Sequence, residues 1–291
     1  MTFGLVPFQT EAAAAERHPH AAAPTGLLHG HRPIPIRAVS LDIDDTLIDF
    51  TSTARQALCD LIGRDDMWSR WQRTTDEHVA RVVAGDLSYE DMHTARTKAF
   101  FADLGALLDD DLVADLERQR NTRLRATWRL YDDTLPCLDW LHAAGVKLAA
   151  VTNASGSHQR GKLERLGIDR FFDTVVIAGE LGVAKPDPVI FHTACARLGV
   201  PVEAALHVGD LLEADAIGAR DAGLHGVWLD RSLTGRHGLR AYAGVHVIES
   251  LADLPELLVT EYRTPDLSAA PAPISGAAGL WANISSRHYG R

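Results

Sequence analysis

The chain has 291 residues and a mass of 31.6 kDa, with 46% hydrophobic and 23% charged residues. This composition excludes a wholly disordered, collagen-like or coiled-coil chain, and the length suits about two domains. The 39 Asp and Glu residues outnumber the 29 Lys and Arg residues, giving a net charge of −10. A chain this acidic has no general attraction for nucleic acid or for an anionic membrane.

The three cysteines, Cys59, Cys137 and Cys195, lie far apart and form no C-x-x-C pair. This spacing argues against a disulfide framework or a zinc finger and favours a reducing, cytoplasmic location. No basic segment precedes an apolar run near the first residues. The uncharged stretch 267–286 is too rich in Ala, Ser, Gly and Pro to span a bilayer. We therefore predict neither an export signal nor a membrane anchor.

Both ends of the chain differ from the rest in composition. Residues 1–36 are rich in Ala, Pro and His and lack helix or strand periodicity, which predicts a disordered N-terminal segment. With no fold to hold them, the histidines of this segment are expected to be solvated rather than bound to a metal. They are His18, His20, His29 and His31. Residues 261–291, rich in Pro, Ala, Ser and Gly, predict a flexible C-terminal tail.

Between these ends, short apolar runs alternate with turns or with segments compatible with helices. The runs are 38–41, 147–152, 174–178, 205–209 and 226–229. Such alternation is typical of a parallel sheet with helices on both faces. Val245–Ile248 would add a last strand at the edge of the sheet. We therefore predict an α/β core over residues 37–50 and 132–260.

One stretch, residues 51–131, breaks this alternation because it contains helical patterns and no strand-like run. Trp68 and Trp71 share a helical face, where we expect core packing rather than stacking on a substrate ring. The aspartates 109–111 suit the start of another helix, where carboxylates are favoured. We predict three or four helices inserted after the first core strand.

Polar residues follow four of the predicted strands, at the points where the strands end. They are, in chain order, Asp42, Asp44 and Thr46; Thr152 and Asn153; Lys185; and Asp210 and Asp215. In an open parallel sheet, ligands bind at the carboxyl ends of the strands. Converging carboxylates need a cation to neutralise them, and oxygen ligands without a Cys or His partner favour Mg²⁺. A lysine and a Thr-Asn pair supply donors for the oxygens of a phosphoryl group.

These four motifs, in this order, resemble those of the haloacid dehalogenase-like (HAD) hydrolase superfamily. The motifs are Asp42-x-Asp44-x-Thr46-Leu47, Thr152-Asn153, Lys185-Pro186 and Gly209-Asp210-x-x-x-x-Asp215. The resemblance covers residues 37–50 and 132–260. It implies a Rossmann-like parallel sheet in the strand order 5-4-1-2-3. The long interval between the first two motifs is where the superfamily places a type-1 helical cap, here residues 51–131.

The resemblance also implies roles for the first and fourth motifs. Asp42 would be the nucleophile that forms an aspartyl-phosphate. Asp44 would protonate the leaving oxygen and then activate water, with Thr46 orienting it. Mg²⁺ would be held by Asp42, the backbone carbonyl of Asp44, and Asp210.

In the same way, the resemblance implies that Thr152 and Asn153 bind the phosphoryl oxygens. Lys185 would balance the charge of the nucleophile and of the phosphoryl group. Asp215 would support the metal ligands or orient the lysine. One departure from the pattern is Leu211, where relatives often have a small polar residue. It would alter how the fourth loop contacts Mg²⁺ or water.

By this resemblance, the chain is a phosphatase-like, Mg²⁺-dependent hydrolase whose partner is a small phosphorylated metabolite. Alternatives within the superfamily are a 2-haloacid dehalogenase and a phosphomutase, and outside catalysis a binding protein that keeps the fold. Dehalogenases lack the acid/base aspartate because halide leaves without a proton, so Asp44 favours a phosphate ester. A phosphomutase would use the same groups, whereas retention of all four motifs argues against a purely binding role. The cap would select the substrate, and residues 51–131 contain no recognisable code for it.

Two other interpretations of these segments fit less well. The first motif could be a calcium loop, but an EF-hand needs Gly and Glu where the chain has Leu47 and Thr53. Residues 156–163 nearly match a phosphate-binding P-loop, except that Leu163 replaces the hydroxyl residue that would hold Mg²⁺. A P-loop would also leave the aspartates of the first motif without a role, so we consider the match accidental.

Overall fold

The structure is a computed structural model that describes residues 34–154, 156–232, 240–242 and 244–263. Most of both terminal segments, including the four N-terminal histidines, lies outside the described residues. No described helix is both long and apolar enough to cross a membrane.

The described residues form nine strands and ten α-helices. The strands are β1 (Ile34–Pro35), β2 (Ala38–Leu41), β3 (Lys147–Thr152), β4 (Thr174–Ile177), β5 (Ala205–Gly209), β6 (His225–Leu229), β7 (Arg240–Tyr242), β8 (Val245–Ile248) and β9 (Tyr262–Arg263). The helices are α1 (Phe50–Ile62), α2 (Trp68–Val83), α3 (Tyr89–Asp103), α4 (Asp110–Thr127), α5 (Thr134–Ala143), α6 (Gly156–Arg165), α7 (Ala178–Leu181), α8 (Pro188–Leu198), α9 (Gly218–Asp221) and α10 (Leu254–Thr260). Short 3₁₀ turns occupy Asp169–Phe171, Val202–Ala204 and Leu251–Asp253, and a π-helical turn occupies Leu212–Ile217.

Seven of these strands form one sheet in the order β4-β3-β2-β5-β6-β8-β7. Within it six strands run parallel, and β7 pairs antiparallel with β8. The α/β fold is confirmed, and the first five parallel strands follow the expected order 5-4-1-2-3. The edge position predicted for Val245–Ile248 is wrong, because β7 pairs along its outer side.

Helices cover both faces of this sheet because the side chains of each strand alternate between two apolar layers. Val39 and Leu41 of β2 pack in one layer, together with residues of α5 and α10. Ala38 of β2 packs in the other layer, with residues of α8 such as Phe191. All four residues of β2 are buried, as expected for a central strand of a parallel sheet.

A second, two-stranded pairing joins segments that the sequence analysis assigned to the tails. β1 and β9 pair in parallel, with Ile34 beside Tyr262. The paired residues therefore lie beyond the boundaries placed at residues 36 and 260. Tyr262 is buried and contacts the rings of His225 and His246. Two-residue strands that pair across the whole chain have too little local pattern to be recognised from sequence.

Four helices, α1–α4, lie between β2 and α5, in agreement with the three or four helices predicted for this stretch. We call them the helical insertion. Within it α1 packs on α4, and α3 packs on both α2 and α4. Asp109 caps α4 by accepting a hydrogen bond from the N–H of Leu112. Trp71 is buried against Phe100, with ring centroids 5.0 Å apart, so its predicted packing role is confirmed.

Candidate active site

The carboxyl ends of β2, β3 and β5 meet at one edge of the sheet. β2 lies between the other two strands, and Leu41 is level with Ala150 of β3 and Val208 of β5. The residues that follow these strands therefore converge. Carboxylate oxygens of Asp42, Asp210 and Asp215 lie within 4.8 Å of one another. The sequence predicts Asp42 and Asp210 as carboxylate ligands of the metal and gives Asp215 only a supporting role.

Lys185 lies at the centre of the charged groups. Its Nζ contacts Asp42 Oδ1 at 2.5 Å, Asp215 Oδ1 at 2.6 Å and the carbonyl oxygen of Val151 at 2.9 Å. These three partners match the three donors of an ammonium group. Burial opposes the charge of Lys185, but the two carboxylates outweigh it and raise the lysine pKa. Lys185 is therefore a fixed cation. We call Asp42, Lys185 and Asp215 the sheet-edge cluster.

Asp215 is the fully buried anchor of this cluster. Besides Lys185, its Oδ1 contacts His207 Nε2 at 3.2 Å, and its Oδ2 accepts from the N–H of Leu211 at 2.9 Å. Although burial opposes it, Lys185 and His207 lower the pKa of Asp215 and keep it ionised. A Cβ at position 209 would lie 2.2 Å from Asp215 Cγ, so the Asp215 side chain can lie this close to the backbone only because residue 209 is glycine. With both oxygens engaged, Asp215 orients the lysine.

Asp44, two residues after Asp42, has separate partners. Its carboxylate accepts from Lys162 Nζ at 2.5 Å and from Gln159 Nε2 at 2.6 Å. Both partners are buried and come from α6. The sequence analysis did not identify either as a site residue. Their i, i+3 spacing puts them on one side of a helix, but no local signal shows that this side faces Asp44.

The segment 156–163, considered as a P-loop, belongs to this same helix. α6 spans Gly156–Arg165, and Lys162 uses its ammonium group on Asp44. Lys162 also lies 4.7 Å from the ring centroid of Phe50. Rejection of the P-loop interpretation is therefore supported.

Thr46, which the sequence predicts to orient Asp44, is hydrogen-bonded to Asp210. The Thr46 hydroxyl accepts from the N–H of Asp210 at 3.1 Å and lies 3.4 Å from Asp210 Oδ1. Asp45 has a left-handed φ of 61°, and its carboxylate accepts from both the N–H and the hydroxyl of Thr51. This turn carries Thr46 towards the loop after β5, whereas Asp44 points to α6. Thr46 thus supports the fourth motif.

The second motif ties the third motif in place. Asn153 Oδ1 accepts from the N–H of Lys185 at 2.7 Å, and its Nδ2 donates to the Lys185 carbonyl at 2.9 Å. The Asn153 side chain therefore holds the lysine backbone, and Asn153 also lines the cavity described below, so its contact with phosphoryl oxygens stays a prediction. The Thr152 hydroxyl lies 3.5 Å from Gln159 Nε2 and faces the cavity described below.

The carboxylates at this edge fit a hard divalent cation. Burial raises the pKa of Asp42 to about 7, against the effect of Lys185 and with a further contribution from Asp215. Burial, together with Asp42 and Asp215, raises the pKa of Asp210 to about 8. These carboxylates have too little positive charge near them. Oxygen donors of this kind are the ligands that Mg²⁺ prefers in proteins.

A cavity of about 410 Å³ lies between this edge and the helical insertion. The sheet side contributes, among others, Asp42, Asp44, Thr152, Asn153, Lys185, Asp210 and Leu211. The helical insertion contributes, among others, Trp68, Trp71, His93, Arg96, Arg120 and Leu124. The Leu211 side chain, at the position noted as a departure, is 57% exposed on the cavity wall. A small-molecule site of ordinary size thus opens directly above Asp42.

Comparison with known proteins agrees with this geometry. A family model described as haloacid dehalogenase-like hydrolase matches residues 36–223. The glyceraldehyde 3-phosphate phosphatase of Methanopyrus kandleri is 36% identical over 190 residues, covering 65% of this chain and 82% of that protein. The N-acylneuraminate-9-phosphatase of Mus musculus is 30% identical over 239 residues, covering 77% of this chain and 94% of that protein.

A solved structure supports the fold. The crystal structure of the HAD-hydrolase YfnB from Bacillus subtilis bound to magnesium has a TM-score of 0.67 and 23% identity. It covers 77% of this chain and 99% of the other. The match of the family model over well over half of the chain, together with the four motifs at one sheet edge, establishes the membership. The chain is an enzyme of the haloacid dehalogenase-like hydrolase family.

Proposed function

We propose that this hydrolase cleaves a small-molecule phosphate monoester with Mg²⁺, through an aspartyl-phosphate on Asp42. The observation that carries the proposal is the separation of two carboxylates in one loop. Asp42 pairs with Lys185, while Asp44 pairs with Lys162 and Gln159. Neighbouring carboxylates with different surroundings are suited to different roles in one reaction. Similarity to the two phosphatases named above supports a phosphate ester as substrate.

In the first half of the reaction, an Asp42 oxygen attacks phosphorus and the ester P–O bond breaks. Asp44 in its acid form gives its proton to the leaving oxygen. In the second half, Asp44 takes a proton from water, which attacks phosphorus and frees Asp42 and inorganic phosphate. Lys162 and Gln159 hold the Asp44 carboxylate in place for both steps.

The other motif residues position these groups and bind the phosphoryl oxygens. Lys185 lines the cavity and balances the negative charge of Asp42 and of the phosphoryl group, while the hydroxyl of Thr152 donates to a phosphoryl oxygen. Asn153 and Asp215 position Lys185 through its backbone and its ammonium group. Mg²⁺, when held by Asp42, Asp210 and the backbone carbonyl of Asp44, supplies positive charge to the phosphoryl oxygens.

The helical insertion encloses the substrate and acts as the cap. It forms the wall of the cavity opposite the sheet edge. A closed wall excludes water while the aspartyl-phosphate forms. A 2-haloacid dehalogenase would need no acid/base group beside its nucleophile, so the presence of Asp44 two residues after Asp42 favours the phosphatase.

The test is phosphate release from a panel of phosphorylated metabolites, with Mg²⁺ and after thorough chelation. Asp42→Asn should lose about 10⁴- to 10⁶-fold in kcat, the range typical of removing a covalent nucleophile. Asp49→Asn is the matched control, because Asn keeps a cap acceptor for α1 and Asp49 does not line the cavity. Wild-type turnover in Asp42→Asn, or turnover that survives chelation, would contradict the mechanism.

A further inference from the structure

The wall of the cavity opposite the sheet edge contains a second buried charge cluster. Arg96 of α3 and Glu117 and Arg120 of α4 are only 4%, 8% and 5% exposed. Arg96 Nη2 lies 3.0 Å from Glu117 Oε1, and Arg120 Nη2 lies 2.9 Å from Glu117 Oε2. Both arginines line the cavity. We call these three residues the insertion cluster.

The insertion cluster has one positive charge more than its carboxylate can neutralise. Burial and the neighbouring Arg120 lower the pKa of Arg96 to about 10, which leaves it charged at neutral pH. The remaining charged residues of the insertion along the cavity, Asp76 and Arg125, are exposed and opposite in sign. The wall therefore keeps a net positive charge. A buried cation without its full counter-charge is costly unless an anion joins it.

Two buried nitrogen atoms on this wall also lack a hydrogen-bond partner. Arg96 Nε is buried and has no hydrogen-bond partner, and the same is true of Nδ1 of His93, three residues earlier on α3. The Arg96 guanidinium is stacked 4.3 Å from the ring centroid of Trp71, which fixes its plane. Burial and the nearby Arg96 lower the pKa of His93 to about 4, so its neutral ring can donate one hydrogen bond. Buried polar groups of folded proteins are normally paired.

We propose that the substrate carries a carboxylate at the end away from its phosphate, bound by Arg96 and Arg120 with help from His93. This inference rests on the proposed function, which assigns the phosphate end to Asp42 and Lys185. A carboxylate is planar and matches the fork of a guanidinium, and its single charge equals the excess of the insertion cluster. A second phosphate would bring more charge than the cluster can balance. The substrate class is therefore a phosphorylated hydroxy acid or sugar acid.

The experiment compares matched pairs of esters that differ only in the distal group. The pairs are 3-phosphoglycerate with glycerol 3-phosphate, and 6-phosphogluconate with sorbitol 6-phosphate. Two lengths are used so that the carboxylate can reach the insertion cluster in at least one pair. We expect kcat/KM for the acid to exceed that for the alcohol by about 10- to 100-fold in one pair, mainly through KM, as for a hydrogen bond to a charged group.

Variants assign the preference to the arginines. Arg96→Met should bring the ratio of kcat/KM for the acid to kcat/KM for the alcohol close to one. Arg96→Lys should give an intermediate ratio, because it keeps a cation beside Glu117. Arg118→Met is the matched control on α4, because Arg118 is exposed and pairs with Asp115 outside the cavity. The control should keep the wild-type ratio. If Arg96→Met does not fold, the wild-type ratio and Arg96→Lys carry the test.

The possible failures are distinguishable. Hydrolysis of both members of each pair with equal kcat/KM overturns the carboxylate site and leaves the proposed function standing. A wild-type ratio in folded Arg96→Met and Arg120→Met means that the insertion cluster only joins α3 to α4, which also overturns the site. If no ester is hydrolysed, the proposed function fails. The carboxylate site is then tested by measuring, with calorimetry, the Kd of each ester for the Asp42→Asn variant. Tighter binding of the acid than of the alcohol supports the site, and equal binding overturns it.

Discussion

Two buried charge clusters face each other across the cavity. At the sheet edge, the cation Lys185 lies between two carboxylates, Asp42 and Asp215. In the helical insertion, the carboxylate of Glu117 lies between two guanidinium groups, those of Arg96 and Arg120. Each cluster therefore keeps an excess of the charge of its outer members, negative at the sheet edge and positive in the insertion.

The clusters differ in how the chain assembles them. The sheet-edge cluster draws its members from the loops after three different strands, whereas the insertion cluster uses two packed helices. We infer that the residual sign of each cluster indicates the charge that it receives. The sheet edge suits a divalent cation and its phosphoryl group, and the insertion suits an anionic group of the substrate. One cluster then serves the reaction and the other serves selection.

After loss of the nucleophile, the next largest effect is expected from the sheet side of this comparison, at Asp44, the proposed proton-transfer group. Asp44→Asn should slow hydrolysis of alcohol phosphates by about 10²- to 10⁴-fold, because an alkoxide leaves poorly without a proton. With p-nitrophenyl phosphate the first step should slow much less, because nitrophenolate needs no proton. The phosphoenzyme should then accumulate, visible in stopped-flow traces as a burst of nitrophenolate followed by slow turnover.

Circular dichroism must first show that Asp44→Asn is folded, since Lys162 and Gln159 lose part of their partner. A folded Asp44→Asn enzyme that hydrolyses alcohol phosphates at the wild-type rate would remove the acid/base assignment. In that case 2-haloacids are the next substrates to assay.

Removing the central ion of the sheet-edge cluster should affect both stability and activity. Lys185→Met leaves Asp42 and Asp215 buried without their cation, which should lower the free energy of unfolding by about 3–5 kcal/mol. Lys147→Met is the control, because this exposed lysine of β3 makes one hydrogen bond to a backbone carbonyl and should cost about 1 kcal/mol. Urea unfolding measures both values. Equal losses would mean that Lys185 is no more important than a surface lysine.

Removing the central ion of the insertion cluster should lower the free energy of unfolding by a smaller amount and should leave the hydrolytic reaction largely unchanged. Glu117→Gln keeps an oxygen acceptor for Thr97 but leaves two buried cations uncompensated. We expect a loss of about 3 kcal/mol in the free energy of unfolding, at the low end for a broken buried pair. Turnover of p-nitrophenyl phosphate should stay within an order of magnitude of wild type. A loss of turnover as large as that in Asp44→Asn would show that the two clusters are not separate in role.

The smallest effect is expected in the pH dependence of the stability that the insertion cluster contributes. Burial opposes ionisation of Glu117, but Arg120 and Arg96 outweigh it and lower the pKa from 4.5 to about 2. Because the folded-state pKa is depressed, the stabilisation is complete above the unfolded value and is lost as pH falls from about 4.5 to about 2. The stability gap between wild type and Glu117→Gln should narrow by about 2 kcal/mol between pH 6 and pH 3. A gap that stays constant over this range would contradict the role of Glu117.

The strands and the residues that end them were predictable because buried parallel strands leave continuous apolar runs. Asp42, Lys185 and Asp210 each follow such a run, and parallel strands bring their carboxyl ends to one edge. The helical patterns of the insertion were predictable for the same reason, since their periodicity and caps are local. The pairing of β1 with β9 was not, because its two-residue partners are more than 220 residues apart in the sequence, Ile34 pairing with Tyr262.

Sequence alone thus determined the fold class, the strand order through the family resemblance, and which residues reach the sheet edge. Only the tertiary structure decided which partner each side chain takes. Thr46 turns to Asp210 because of the left-handed turn at Asp45, and Asp44 is held by two residues of α6. The charge of the cavity wall could not be predicted either, because a helical arginine is expected to be exposed when only the sequence is known. Burial and pairing are properties of contacts between distant segments, and no local pattern in the chain encodes them.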